Sequence, residues 1–252
     1  MTAATLQTKG LTVRFGGLLA VNEVDLDCRP GELTGLIGPN GAGKTTLIDA
    51  VTGFLPKNAS GSVDFDGEEA LGIAPSRLAH RGLCRTWQTL ELFDDIDVRS
   101  NLEVASSRLT PMRALRDYFR GSDVDERIDA TLELLNLAHV ADRSPGELSQ
   151  GQRKLVGVGR ALVADAKLLL LDEPAAGLDR QETVWLGLQL RRIVEAGTPI
   201  LMVDHDMGLV LSVSDRIHVL QFGKLIASGT PEEIRTNEQV ISAYLGASGG
   251  DE

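Results

Sequence analysis

At 252 residues, 42% hydrophobic and 24% charged, the chain is long enough to bury a sizeable core as one large domain or two modest ones. No stretch approaches the ~18 uninterrupted apolar residues of a membrane span, and MTAATLQTKG at the start lacks the basic and apolar regions of a secretory signal; a cytosolic chain with at most peripheral membrane contact is expected. The 25 basic against 36 acidic residues give −11, which argues against non-specific nucleic-acid binding.

Residues 6–37 read as strands: LTVRF alternates, VDLDC follows, and LTGLI is a compact apolar run. Cys28 closes the second of these. With Cys84, far off and without metal-ligand spacing, it reads as a reduced thiol. The third run feeds GPNGAGKT, Gly38 to Thr45, which fits the phosphate-loop pattern G-x-x-x-x-G-K-[ST]. Its glycines let successive backbone N–H groups converge on phosphate oxygens, the helix expected from Gly43–Lys44 adds its positive end, and Lys44 adds a full charge. Thr45 offers a hydroxyl for Mg²⁺. GSVDF and the pair Asp66-Gly67 then signal a hairpin.

Between about residues 89 and 165 strand-like runs nearly vanish. DERIDATLELLNLAHV places Ile128, Leu132, Leu135 and Val140 at helical spacing. Gln88, in RTWQTL at the entrance to this stretch, is either a ligand for Mg²⁺ and attacking water or an ordinary loop residue. LSQGQ, Leu148 to Gln152, crowds two amides and a hydroxyl around one glycine; Ser149 alone would suffice for a helix cap. KLLLL then predicts a fully buried strand ending in Asp172 and Glu173. With a phosphate loop upstream, Asp172 reads as the holder of a Mg²⁺-bound water and Glu173 as the base that takes a proton from attacking water. QETVWLGLQLRRIVEAG reads as an amphipathic helix, PILMV as another buried strand, and His205 lies just past its end, as a packed residue or a γ-phosphate contact. The pattern is an α/β core interrupted by a helical insertion, with a frayed tail, GASGGDE.

Taken in order, these motifs resemble the nucleotide-binding subunit of an ABC transporter, over the whole chain. The resemblance implies a P-loop NTPase core of RecA-like kind, with a β-rich N-terminal subdomain and an inserted α-helical subdomain. A single nucleotide-binding domain, 1–252, would have its core lobe at 1–88 and 166–252 and its helical subdomain at 89–165. The phosphate loop and its neighbours (Gly38, Pro39, Asn40, Gly41, Ala42, Gly43, Lys44, Thr45 and Thr46) would hold ATP, and Thr45, Gln88 and Asp172 would hold Mg²⁺. Glu173, His205 and Gln88 would act in hydrolysis, with Ala176–Asp179 as the D-loop. Two subunits would meet head to tail, so that Ser149, Gly151 and Gln152 of one face the γ-phosphate held by the other. Gln150 stands where a glycine is commonest, and Asp204 where a glutamate often precedes the histidine. Phe15 matches the aromatic position that stacks on adenine, though Leu11, Val13 and Phe15 equally describe a core face.

RTWQTLELFDDIDVRSNLEVA, DEPAAGLD, DHDMGLVLSVSDRIHVLQFGKLIASGTPEEI and VISAYLG are similar to the branched-chain amino-acid importer ATPases. That similarity implies an identical or paralogous ATPase partner, integral membrane permeases, a periplasmic or lipid-anchored solute-binding protein, and a place on the inner face of the cell membrane. Urea and short-chain-amide importers, the lipopolysaccharide exporter ATPase and soluble ABC ATPases share much of the pattern; a P-loop kinase would leave the signature and D-loop without purpose. Leu90–Arg99 is an expected docking surface for the permease. Arg113, Arg116 and Arg120 fall on one helical face, either solvated or set against anionic lipid.

Overall fold

The structure is a computed structural model that describes residues 5–86, 92–106 and 121–245. The alternating N-terminal runs form an antiparallel sheet of β1 (Leu6–Phe15), β2 (Leu18–Cys28), β4 (Ala59–Phe65) and β5 (Glu68–Glu69), in the order β2-β1-β4-β5. Asp66 and Gly67, at φ of 56° and 80°, make the two-residue turn between β4 and β5, a conformation suited to the right-handed twist of the paired strands.

The second sheet runs β10-β9-β3-β8-β7-β6. Its strands are β3 (Leu33–Ile37), β6 (Leu83–Thr86), β7 (Leu168–Asp172), β8 (Ile200–Val203), β9 (Arg216–Gln221) and β10 (Lys224–Gly229). All neighbours are parallel except β10 on β9. Burial on both faces explains why LLLL and ILMV read as unbroken apolar runs. Leu168 and Leu170 join the cluster under β1, β2 and β4, with Leu11, Val63 and Phe65. Leu169 and Leu171 face the opposite cluster, with Leu186, Leu190 and Ile193. Each such leucine, fully buried, contributes on the order of 1.5–3 kcal/mol.

Helix α1 (Lys44–Val51) follows the phosphate loop, and α2 (Pro75–Arg81) precedes β6. The helical stretch holds α3 (Val98–Ser106), α4 (Gly121–Leu134), two short 3₁₀ turns and α5 (Gln150–Val163). Ile128, Leu132, Leu135 and Val140 are all buried, as their spacing requires, and belong to the same apolar cluster as Leu169 and Leu171. The helices therefore close directly onto one face of the sheet. Asn101, fully buried, ties down the segment before α3: its amide donates to the carbonyls of Phe93, Ile96 and Asp97, and its carbonyl accepts from the Phe93 N–H. Helix α6 (Arg180–Glu195) covers the same cluster, followed by α7 (Met207–Val213), α8 (Pro231–Thr236) and α9 (Glu238–Leu245).

Cys28 and Cys84 are buried thiols that form no disulfide, and burial pushes the Cys28 thiol up to about 12. Among the described residues no helix is long and apolar enough to cross a membrane.

Candidate functional site

Parallel pairing builds the site. Leu36 of β3 and Asp172 of β7 both align with Val203 of β8, so Gly38, Glu173 and His205 leave the sheet at the same edge. This is the carboxyl edge, where open α/β sheets take ligands.

Gly38 and Gly43 show why the loop needs glycine. At φ of 153° and 103°, an added Cβ would stand 2.1 Å from the Leu220 carbonyl oxygen and 2.4 Å from that of Ala20. Both obstacles are backbone, which cannot rotate aside. Gly43 is also the N-cap of α1 and supplies no side-chain bond, so the first N–H groups of the helix point into the loop. The Ala42 carbonyl accepts from Gly223 N–H, which ties the loop to the β9–β10 turn. Lys44 Nζ donates to the carbonyls of Gly38 at 2.6 Å and Pro39 at 3.1 Å. Burial pushes its ammonium below the ordinary value, against the opposing pull of Glu173 and then Asp172.

A cavity of ≈ 500 Å³ is lined by Asn40, Gly41, Ala42, Gly43, Lys44, Thr45 and Thr46, with Glu173, Phe15, Leu18 and Phe222. Phe15 departs from the alternation it begins in. Leu11 and Val13 are fully buried, whereas Phe15 is 41% exposed and borders this cavity. Leu148–Gln152 do not line it.

Glu173 has φ of 48°, a backbone state that costs a non-glycine residue about 1–3 kcal/mol and so marks an over-determined position. Its Oε2 lies 3.9 Å from His205 Nδ1, and that nitrogen is 3.7 Å from Asp204 Oδ1. Asp204 is buried; its two oxygens accept from Ala175 N–H and Asp206 N–H, joining the loop after β7 to the loop after β8. Asp172 receives Arg85 on one oxygen. Lys154, a buried residue of α5, donates at 3.5 Å to the Glu173 carbonyl, so the helix that begins at the LSQGQ motif also touches the loop after β7.

At the start of α5, Ser149 Oγ accepts from Gln152 N–H while Gln152 Oε1 accepts from Ser149 N–H, a capping box. Gly151 N–H donates to Oε1 of Glu182 at 3.1 Å. In the single chain, then, the first turn of α5 already has an acidic side chain on one of its N–H groups. Asp179 caps α6 by accepting from Glu182 N–H, which fixes the backbone from which Glu182 reaches across.

Sequence reading missed Arg85, Lys154 and Glu182. The first had a visible signal, since an arginine inside a short buried parallel strand demands a partner. Gln88, Arg113, Arg116 and Arg120 lie outside the described residues.

A divalent ion fits this donor set in a particular way. Thr45 offers a hydroxyl at the head of α1, and Asp172 an oxygen beyond the one Arg85 occupies. Among the described residues no group of three His, Cys, Asp or Glu side chains could cage a metal. One carboxylate and a hydroxyl without a cage would suit Mg²⁺ only with phosphate oxygens and water completing its coordination.

Residues 21–176 match the ABC transporter family, and residues 224–249 match a family described as branched-chain amino acid ATP-binding cassette transporter. A high-affinity branched-chain amino acid transport ATP-binding protein of Pseudomonas aeruginosa is 40% identical, over 98% of this chain and 99% of its own. A probable branched-chain amino acid transport ATP-binding protein of Archaeoglobus fulgidus is 37% identical, over 96% and 95%. The crystal structure of the ADP conformation of an ATP-binding cassette of an ABC transporter superposes with a TM-score of 0.84 at 31% identity, covering 97% of this chain and 100% of its own.

Proposed function

Because the chain belongs to the ABC transporter family, whose ATP-binding cassettes hydrolyse ATP to power transport, we propose that it drives import of branched-chain amino acids across the cytoplasmic membrane. The convergence of the phosphate loop, Glu173 and His205 on one sheet edge carries the hydrolytic part of this reading. The near full-length likeness to the Pseudomonas aeruginosa protein supports the solute.

In this reading the loop Gly38–Thr46 wraps the phosphates, Lys44 turns from its own carbonyls to phosphate oxygens, and Phe15 stacks on adenine. Thr45, Gln88 and a water on Asp172 would hold Mg²⁺, which would supply positive charge to the phosphates. Glu173 accepts the proton of the attacking water as its oxygen bonds to γ-phosphorus and the bond to ADP breaks. His205, beside Glu173, meets the γ-phosphate. A second ATPase subunit, identical or paralogous, supplies Ser149, Gly151 and Gln152 across a head-to-tail interface. Integral membrane permeases dock on Leu90–Arg99, a solute-binding protein, periplasmic or lipid-anchored, delivers the amino acid, and the subunit sits on the inner face of the membrane.

The test is reconstitution in liposomes with the permeases and binding protein of a branched-chain amino-acid importer. Leucine, isoleucine or valine should stimulate ATP hydrolysis several-fold. Stimulation by urea or an amide in their place would overturn the assignment of the solute.

Glu182 has a measurable consequence here. A phosphate arriving at Gly151 must displace its carboxylate, and that negative charge repels the newcomer at the positive end of α5. Glu182→Gln, made in a hydrolysis-deficient background, should strengthen ATP-driven pairing roughly two- to fivefold, the range of one charge at a helix end. Sedimentation in the presence of ATP reads the change; weaker pairing would mean that Glu182 holds the motif in its working shape instead.

A further inference from the structure

We propose that Arg85 is the positioning residue for the magnesium site, a buried guanidinium that locks Asp172 by one oxygen and leaves the other to hold the metal's water. The proposal rests on the reading of Asp172 given above.

Arg85 lies on β6, opposite Leu170 of β7, one residue short of the strand's end. Its side chain is only 6% exposed. One terminal nitrogen donates to Asp49 Oδ1 of α1 at 2.6 Å, the other to Asp172 Oδ2 at 2.7 Å. The ring of Phe54 lies 5.9 Å from the guanidinium carbon. Arg85 and Asp172 line a neighbouring cavity of ≈ 340 Å³ rather than the one beside the phosphate loop, and Asp172 bears on that loop through its charge, which acts on Lys44.

Three consequences follow from this geometry. Asp172 is fixed in one rotamer, and its remaining oxygen makes no hydrogen bond among the described residues. The same cation ties the helix that follows the phosphate loop to the strand that carries Asp172, so the two halves of the site keep their spacing. Two carboxylates around one guanidinium leave a single net negative charge in a partly desolvated place, which favours an arriving divalent cation over none. Lysine would not substitute, because an ammonium is a point charge without the rigid fork that engages two carboxylates from one plane.

The experiment is calorimetric titration of the full chain with ATP, in chelator and in excess Mg²⁺, giving the tightening that magnesium confers. Asp172→Asn serves as reference and should lose that tightening. Arg85→Met should bind metal-free ATP within about threefold of the parent while the magnesium-dependent tightening falls about tenfold or more, the usual cost of removing a partner behind a metal ligand. Arg85→Lys should lose roughly threefold, between the two. If Arg85→Met does not fold, Arg85→Lys decides by the same split. Full tightening retained in the Arg85 variants, or equal weakening with and without metal, overturns the proposal. If Asp172→Asn also keeps the tightening, the reading of Asp172 fails first and the role of Arg85 falls with it.

Discussion

Glu173→Gln keeps ATP affinity within a few-fold and lowers turnover by roughly 10²–10⁴-fold, the contribution of one well-placed proton acceptor. The amide has the carboxylate's shape and can still accept a hydrogen bond, so the loop after β7 keeps its form, including the backbone at φ of 48° and the contact from Lys154. What disappears is the basic oxygen at the sheet edge, 3.9 Å from His205 and on the wall of the cavity that Lys44 also lines. Loss of one negative charge from the cavity wall would favour binding of an anionic nucleotide. Lys44→Ala should differ in kind, because an ammonium that met phosphate in ground and transition states alike would, when lost, weaken binding itself. Steady-state hydrolysis beside calorimetric ATP binding separates the two effects. A Glu173→Gln chain that retained a tenth or more of the parent turnover would remove Glu173 from the role of base.

Hydrolysis returns when a Lys44→Ala chain is mixed with a Gly151→Asp chain, each inactive alone. Lys44 lines the phosphate-loop cavity, whereas Leu148–Gln152 do not, and within one chain the Gly151 N–H is taken by Glu182. An aspartate at position 151 would set a second carboxylate beside Glu182 and repel phosphate. In the mixed dimer, one site joins an intact phosphate loop to an intact LSQGQ motif, and the other carries both defects. Activity should recover toward a quarter to a half of the parent, from a background lower by about 10² or more. The measurement is hydrolysis as a function of mixing ratio, with dimers shown by sedimentation. If both grips acted on ATP within one chain, no ratio would restore an intact site. With a paralogous ATPase as the obligate partner, the two substitutions belong on the two different chains.

The strands and helices that build the sheet edge were legible because their signals are local. LTGLI and LLLL are too apolar and too short to be anything but doubly buried strands, and GPNGAGKT needs its glycines wherever it occurs. The Asp66-Gly67 turn follows from the positive φ that only such pairs adopt readily. Phe15 was not decidable from the pattern. A period of two puts it with Leu11 and Val13, but the register with β2 shifts between Val13 and Arg14, and the strand end swings the ring out to the phosphate loop. Whether Ser149 merely caps a helix was likewise open; it does cap, and the same turn presents Gly151 to Glu182.

The sequence by itself determined the chemistry available: a phosphate loop, an acidic pair ending a buried strand, a histidine after the next, and the order that places the chain among ABC transporter subunits. Those assignments depend on residues near one another in the chain, where hydrogen-bonding geometry and side-chain periodicity act over a few positions. Only the tertiary structure decided which charges meet. Arg85 joins Asp49 to Asp172, Lys154 reaches Glu173, and Glu182 occupies the amide of Gly151. These partners lie 19 to 87 residues apart. They are selected because a charge carried into a low-dielectric interior must find an opposite charge or a dipole there, and which one it finds is fixed by how β6, β7, α5 and α6 pack against each other.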